Sequence, residues 1–169
     1  MNIDFLRRLG LFVVLLLVQA LVLNHIHLFG IATPLLYVYF IVSFPHGYPR
    51  WGVLVWSFFL GLAIDIFSNT PGVAAASMTL VGLLQPYLLE AFMTRDSRDS
   101  DEAFQPALFT MGFSKFVYYT LLLTFIYCLV FFTVETFSFF NWLHWLLCIG
   151  ANTLLSEILI VAVDNLRKR

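Results

Sequence analysis

The sequence predicts an all-α, polytopic membrane protein, and its composition and the arrangement of its apolar residues both support this fold class. Of 169 residues, 61% are hydrophobic and only 11% are charged, whereas soluble domains carry roughly 25% charged residues. A soluble protein of this size would expose larger apolar patches than soluble monomers tolerate. A bilayer removes this problem, because lipid solvates the outer faces of long apolar helices. The length fits a single transmembrane domain over residues 1–169.

Apolar runs of the length that a membrane-spanning helix needs, ~20 residues, define the predicted spans. Five runs meet or approach this length: 6–23, 51–67, 72–93, 113–133 and 143–163. Arg7 and Arg8 precede the first run as in a signal peptide, but its length and the hydrophobic segments that follow favour an uncleaved first span. A sixth run, 34–44, is short. It could be re-entrant, a buried half-helix, or a crossing over 31–47 that neighbouring helices or thinned lipid support.

The basic residues favour six spans over five. With a cytoplasmic N-terminus and six crossings, the inner segments are the N-terminus, 46–50, 94–105 and the C-terminus, and the outer loops are 24–33, 68–71 and 134–141. All Lys and Arg residues except Lys115 then lie in inner segments, and Lys115 lies near the inner end of the fifth span. Because positive residues concentrate in cytoplasmic loops, the sequence predicts six transmembrane helices with both termini cytoplasmic.

Small and polar side chains recur at helical spacing in three of the predicted spans. The stripes are Ser57, Gly61, Asp65 and Ser68 in the third span; Gly72, Ala75, Ala76, Thr79, Gly82 and Pro86 in the fourth; and Gly150, Thr153 and Glu157 in the sixth, with Asn152 and Ser156 beside them. Helices in lipid associate through small residues and polar contacts. The third, fourth and sixth spans are therefore predicted to pack together, while the bulky first and fifth spans meet lipid or a partner protein.

Two carboxylates lie within predicted spans, Asp65 near the outer end of the third and Glu157 in the middle of the sixth. An ionised acid at the bilayer centre costs ~2.5–3.5 kcal/mol on insertion scales, so each acid should face a partner or a cavity. Two interpretations are open: contact with a ligand, proton or partner, or hydrogen bonds that only tie helices together. If Asp65 is structural, Asp65→Asn is expected to be mild, because asparagine keeps the size and most of the hydrogen-bonding capacity.

The sequence lacks the residue patterns typical of an enzyme or a cofactor site. It contains no Gly-x-Ser-x-Gly elbow, Walker loop or His-Glu-x-x-His helix. His25 and His27 form a pair without the further ligands that a metal site needs. No basic cluster beyond residues 167–169 suggests nucleic acid. We therefore expect a non-enzymatic protein with no catalytic residue, no cofactor, no metal and no nucleic-acid partner.

The order of several motifs resembles MreD, the rod shape-determining membrane protein family of bacteria. The matching features are Pro34 opening the short second span, Phe44-Pro45-His46 closing it, Gly61-Leu62-Ala63-Ile64-Asp65-Ile66-Phe67-Ser68 ending the third, and Gly72 and Met78 at the start of the fourth. The match covers the whole chain loosely and about a third of it by motif. The charged segment 94–102 and the aromatic fifth span match no part of the family pattern. The residues expected to mediate helix packing or contact with a partner or ligand are Pro34, Pro45, Ser57, Gly61, Asp65, Ser68, Gly72, Asn152 and Glu157.

The resemblance implies a non-enzymatic subunit of the cell-elongation machinery in the bacterial cytoplasmic (inner) membrane, supporting cell shape and lateral peptidoglycan synthesis. The partners that it implies are MreC, the RodA glycosyltransferase, a class B penicillin-binding transpeptidase, membrane lipid and, indirectly, the MreB filament. The architecture is also similar to the six-helix substrate-binding subunits of energy-coupling-factor vitamin transporters, which gives an alternative function. Such a subunit should place hydrogen-bonding loops over an outer pocket, and the short, hydrophobic outer loops favour a scaffold instead.

Overall fold

The computed structural model describes residues 3–25, 33–93, 104–136 and 142–167, and within these ranges the chain is helical with no strand. The helices are α1 (Ile3–Leu21), α2 (Tyr39–Val42), α3 (Arg50–Ser68), α4 (Val73–Phe92), α5 (Leu108–Met111), α6 (Phe113–Thr136) and α7 (Trp142–Arg167), with 3₁₀ turns at Leu23–His25 and Leu36–Val38. Several predicted features lie outside the described residues: the charged segment 94–102, His27, and the parts 26–32 and 137–141 of two predicted outer loops.

Four helices, α3, α4, α6 and α7, are long and apolar enough to cross a membrane. The shortest has 19 residues, which at 1.5 Å per residue is about 28 Å, close to the ~30 Å hydrocarbon core of a bilayer. Helix α1 has the same length but carries charged residues near its start. Large apolar side chains on the long helices face outward, among them Leu21, Ile66, Leu83, Phe125 and Ile158. The described part of the chain is thus all-helical with four candidate spans, and the six-span topology stays a prediction.

Helices α3 and α4 form a closely packed antiparallel hairpin. The turn between them uses two left-handed residues, Asn69 at φ 57° and Gly72 at φ 83°, and these are the residue types that adopt this conformation most readily. Gly61 lies directly against the backbone of α4, where a Cβ atom added to it would be 2.5 Å from the Cα of Ala75. Further along the hairpin, Gly82 lies against a side chain of α3, that of Ser57.

Helix α6 packs between α4 and α7. The prediction that the third, fourth and sixth spans pack together without the fifth is therefore wrong, because α6 lies between α4 and α7. Its other face exposes Tyr118, Phe125 and Leu129, where contact with lipid or a partner protein stays a prediction. Tyr119, Leu123 and Tyr127 recur at helical spacing on the buried face of α6, and large aromatic side chains fill the space between helices that do not approach closely. Small-residue stripes indicate the closest helix contacts, but they do not show which helix is interior.

Residues 34–44, the short second run, pass through the interior of the bundle. Every residue from Leu35 to Val42 is 7% exposed or less. One end of the segment contacts Asn152, and the other end, at Ser43, lines a cavity with Arg167. These two residues of α7 are about 22 Å apart along the helix axis. The segment resembles the buried half-helix among the alternatives that the sequence left open, because only 36–42 is helical and all of it is enclosed by protein.

Candidate functional site

Two side chains of α7 bind the non-helical start of the buried segment. Asn152 Oδ1 accepts a hydrogen bond from the backbone N–H of Thr33 at 2.8 Å, and Ser156 Oγ accepts one from the N–H of Leu35 at 2.9 Å. Both side chains are completely buried. Non-helical backbone at membrane depth is tolerated only where it is buried in protein or lines a water-filled cavity, because lipid cannot satisfy its hydrogen bonds. The polar residues beside the predicted stripe of the sixth span therefore hold the broken segment in place.

Gln19 of α1 binds the same segment from the opposite side. Its Oε1 accepts a hydrogen bond from the N–H of Leu36 at 3.1 Å, and its Nε2 donates to the carbonyl of Pro34 at 3.0 Å. Nε2 also donates to Asn24 Oδ1, and Asn24 donates in turn to Ser68 Oγ at 2.9 Å. This chain of hydrogen bonds connects α1, the buried segment and the end of α3.

Removing the Asn152 side chain should therefore destabilise the bundle. We expect Asn152→Leu to lower the free energy of unfolding by about 2 kcal/mol, because it removes the acceptor that the half-buried N–H of Thr33 has on this fully buried side chain. The measurement is reversible unfolding of the purified protein in mixed detergent micelles. Asn165→Leu is the matched control, since Asn165 lies on the same helix but is exposed, and it should change stability by less than about 0.5 kcal/mol. Equal effects of the two substitutions would contradict this role for Asn152.

Gln85 of α4 forms hydrogen bonds at the other end of the buried segment. Its Nε2 donates to the carbonyl of Phe44 at 3.2 Å and to the hydroxyl of Tyr119 at 3.1 Å. The chain then turns at Pro45, whose carbonyl accepts a hydrogen bond from the N–H of Tyr48. Pro34 and Pro45 therefore lie just before and just after the buried stretch, at the points where its backbone is not helical.

Asp164 connects the buried segment to the C-terminal end of α7. One carboxylate oxygen accepts a hydrogen bond from the hydroxyl of Tyr39, and the other accepts one from the N–H of Leu108, both at 2.8 Å. The carboxylate is buried, and it caps the start of α5 from a different helix. Arg167 donates to the same Tyr39 hydroxyl at 3.3 Å. This polar cluster joins α2, α5 and α7.

Asp65 caps the start of α4 from the neighbouring helix. Its Oδ1 accepts hydrogen bonds from the N–H of Ala74 at 2.8 Å and the hydroxyl of Thr70 at 2.9 Å, and its Oδ2 accepts one from the N–H of Ala75 at 2.9 Å. The N-cap position of α4 is Gly72, which has no side chain to act as an acceptor. Asp65 supplies that acceptor, and its negative charge lies at the positive end of the helix dipole.

This geometry removes the basis for expecting Asp65→Asn to be mild. Both carboxylate oxygens accept from backbone N–H groups of α4. An asparagine has only one acceptor oxygen, so its NH₂ group would face an N–H donor. A severe effect of asparagine is therefore compatible with a structural role.

Glu157 lies between α7 and α6 with one strong contact. Its Oε1 accepts a hydrogen bond from the hydroxyl of Thr120 at 2.5 Å. Its Oε2 is buried and has no hydrogen-bond partner within the described ranges. The hydrogen bond between the two helices therefore explains one carboxylate oxygen of Glu157. For the other oxygen, contact with a ligand, a proton or a partner stays a prediction.

A cavity of about 360 Å³ lies at the end of the bundle near Asn24, Ser68 and Asn152. Thr33, Thr70 and Glu135 add further polar groups to its lining. Apolar walls come from Tyr37, Ile64, Phe67, Phe131 and Phe132, among others. Of the residues predicted from the sequence, the cavity therefore brings Ser68 and Asn152 together but not Asp65 and Glu157. Its size and mixed lining are suited to a small polar molecule.

Sequence reasoning missed Gln19, Gln85 and Asp164, although each makes two or more hydrogen bonds inside the bundle. For Gln19 and Gln85 the available signal was a polar residue within an apolar run, which marks a buried contact in a membrane protein. Asp164 gave no such signal, because it lies after the apolar run beside other polar residues. Within the described residues, no cluster of His, Cys, Asp and Glu could hold a metal ion.

No protein-family model, no curated protein and no solved structure matches this chain.

Proposed function

We propose that this chain is an MreD-type subunit of the bacterial cell-elongation machinery. In this role it acts without catalysis in the cytoplasmic membrane, binds MreC, and supports lateral peptidoglycan synthesis by a RodA-type glycosyltransferase and its class B transpeptidase. MreB takes part indirectly, through the same assembly.

The observation that carries the proposal is the ordered set of motifs from Pro34 to Met78. In the structure, Pro34 and Pro45 bracket the buried segment, and Asp65 and Gly72 build the α3–α4 turn. The motif residues thus occupy positions on which the fold depends. This placement supports the proposal, because a shared fold would require these residue types at these positions.

Affinity capture in mild detergent tests the proposed function. The tagged full-length chain, expressed in its source bacterium at native level, is purified and its associated proteins are identified by mass spectrometry. We expect MreC and RodA-type proteins to be recovered at stoichiometric levels, and depletion of the chain to make rod-shaped cells round. A tagged, unrelated multi-span protein is the control for non-specific capture. Recovery of a transporter energising module in place of MreC would overturn the proposal.

Topology gives a separate prediction. Arg7, Arg8 and Arg167 line one cavity, so the two ends of the chain lie at the same end of the bundle. This arrangement supports an even number of crossings with both termini in the cytoplasm. In a background without Cys128 and Cys148, a cysteine replacing the exposed Pro71 should react with an impermeant maleimide in intact cells.

A cysteine added after Arg169 should react with the same maleimide only after the cells are opened. Labelling of the C-terminal cysteine in intact cells, with Pro71→Cys protected, would contradict the proposed orientation.

The cavity beside Asn24 and Asn152 supports a second candidate, a substrate-binding subunit of a vitamin-type transporter. Its amide, hydroxyl and carboxylate groups could orient a small polar ligand between apolar walls. The test is mass spectrometry of small molecules released by denaturing the purified protein. A stoichiometric vitamin, lost in the Asn24→Leu variant but retained in Asn165→Leu, would favour this function over the first.

A further inference from the structure

A second cavity, of about 280 Å³, opens between the start of α1 and the end of α7, and its polar lining is basic. Arg7 and Arg8 contribute from α1 and Arg167 from α7, and Gln105 adds an amide. Arginine is the side chain that best matches the geometry of phosphate oxygens, because its planar guanidinium presents several N–H donors in a fixed arrangement. The ends of the chain, far apart in sequence, therefore converge on a lining that is complementary to a phosphate group.

Contacts with neighbouring side chains hold two of these arginines at the cavity. The Arg8 guanidinium lies over the rings of Phe44 and Tyr48, 4.8 and 4.4 Å from their centroids. Arg167 donates to the Tyr39 hydroxyl at 3.3 Å and to Gln105 Oε1 at 3.5 Å. A preorganised guanidinium loses less conformational entropy when it binds an anion.

Asp164 lies beside Arg167 through the Tyr39 hydroxyl that they share, so it offsets part of the positive charge of the cavity. Asp164 directs one oxygen to the Tyr39 hydroxyl and the other to the N–H of Leu108. In the described part of the chain, neither Arg7 nor Arg167 forms an ion pair with a carboxylate. A bound anion would compensate the charge that remains.

An apolar track leads from the cavity along α1. Leu11 and Val14 form the apolar wall of the cavity, and Val14 is 56% exposed. Leu17 and Leu21 continue the same exposed side at helical spacing. From Leu11 to Leu21 the track is about 15 Å long, half the thickness of the hydrocarbon core. A lipid has this combination of an anionic head and an apolar tail of one leaflet's depth, whereas a free phosphate does not.

We propose that this cavity is a binding site for an anionic phospholipid of the inner leaflet. The phosphodiester group binds between Arg7, Arg8 and Arg167, and an acyl chain lies along the exposed side of α1. The site joins the first and last helices through the lipid. It is independent of the proposed role in cell elongation.

Native mass spectrometry of the full-length protein in mild detergent tests this site, with phosphatidylglycerol and phosphatidylcholine as probes. We expect phosphatidylglycerol to bind more tightly. Each arginine near an anionic phosphate contributes a factor of about five, so Arg7→Gln/Arg167→Gln should weaken phosphatidylglycerol binding by roughly thirtyfold. Arg7→Gln alone, at an exposed position, should weaken it by about fivefold and serves as the variant least able to disturb folding.

The matched control is Arg50→Gln/Lys115→Gln, which removes two positive charges outside the cavity. It should leave binding within twofold of the original protein, a tolerance of about 0.4 kcal/mol. An equal loss in this control would show a general charge effect and overturn the site. Equal binding of the two phospholipids would also overturn it. Soluble glycerol phosphate should fail to compete at millimolar concentration, and effective competition would identify a free-phosphate site instead of a lipid site.

Discussion

Replacing Asp65 by asparagine should lower the free energy of unfolding by about 3 kcal/mol, one of the largest effects expected for an isosteric change in this protein. The carboxylate accepts hydrogen bonds from the N–H groups of Ala74 and Ala75 and from the hydroxyl of Thr70. Hydrogen bonds to a charged group contribute about 1.5–3 kcal/mol each, and asparagine must turn a donor toward one of the two N–H groups. Loss of the negative charge at the start of α4 adds about 0.3–1 kcal/mol.

Unfolding of purified protein in mixed micelles measures this effect, and Glu90→Gln is the control. Glu90 undergoes the same carboxylate-to-amide change at a position with a 47% exposed side chain and a 3.9 Å contact to His46, so its effect should stay below about 0.5 kcal/mol. The contradicting result is specific: Asp65→Asn with unchanged stability and normal recovery of MreC, yet with round cells. That combination would require a charge-dependent role for Asp65, such as contact with a ligand or a partner's cation.

The third and fourth spans were the part of the fold most open to prediction from sequence. Gly61 and Asp65 fall on one helical face, residues 69–72 read Asn-Thr-Pro-Gly, which are types common in tight turns, and small residues begin the next span. These are local patterns, and the contacts that they specify join helices adjacent in the chain. The structure places Gly61 against Ala75 and Asp65 at the first turn of α4.

The buried segment and the packing of α6 between α4 and α7 depend on contacts between distant parts of the chain. Thr33 and Asn152 are 119 residues apart, and Leu36 binds Gln19 in a different helix. Nothing in the local pattern of 34–44 shows which polar side chains will satisfy its backbone. In α6, aromatic side chains are as stable in contact with lipid as in a protein interior, because both surroundings are apolar. Hydropathy therefore could not show that one face of α6 packs between α4 and α7.

Among the glycines that the structure describes, Gly61→Ala should be the most destabilising change to alanine, with an expected loss of about 3 kcal/mol in the free energy of unfolding. The added Cβ would lie 2.5 Å from the Cα of Ala75 and 2.7 Å from the carbonyl oxygen of Ala74. Backbone atoms of a packed helix cannot rotate away as a side chain can, so α3 and α4 must separate. Insertion of extra carbon into a well-packed interface costs about 1–3 kcal/mol, occasionally more. Gly61→Leu should prevent accumulation of folded protein.

Alanine substitutions at two further glycines give comparisons for the size of this effect. At Gly82 a Cβ would meet the Ser57 hydroxyl at 2.6 Å, and a change of the Ser57 rotamer could relieve part of that contact, so Gly82→Ala should cost about 1 kcal/mol. At Gly150 nothing lies within 4 Å, so Gly150→Ala should stabilise α7 by up to about 1 kcal/mol through helix propensity. The expected order of stability is Gly150→Ala, then Gly82→Ala, then Gly61→Ala. If all three substitutions had the same effect, the response would follow helix propensity alone, and the close α3–α4 contact would not be a determinant of the fold.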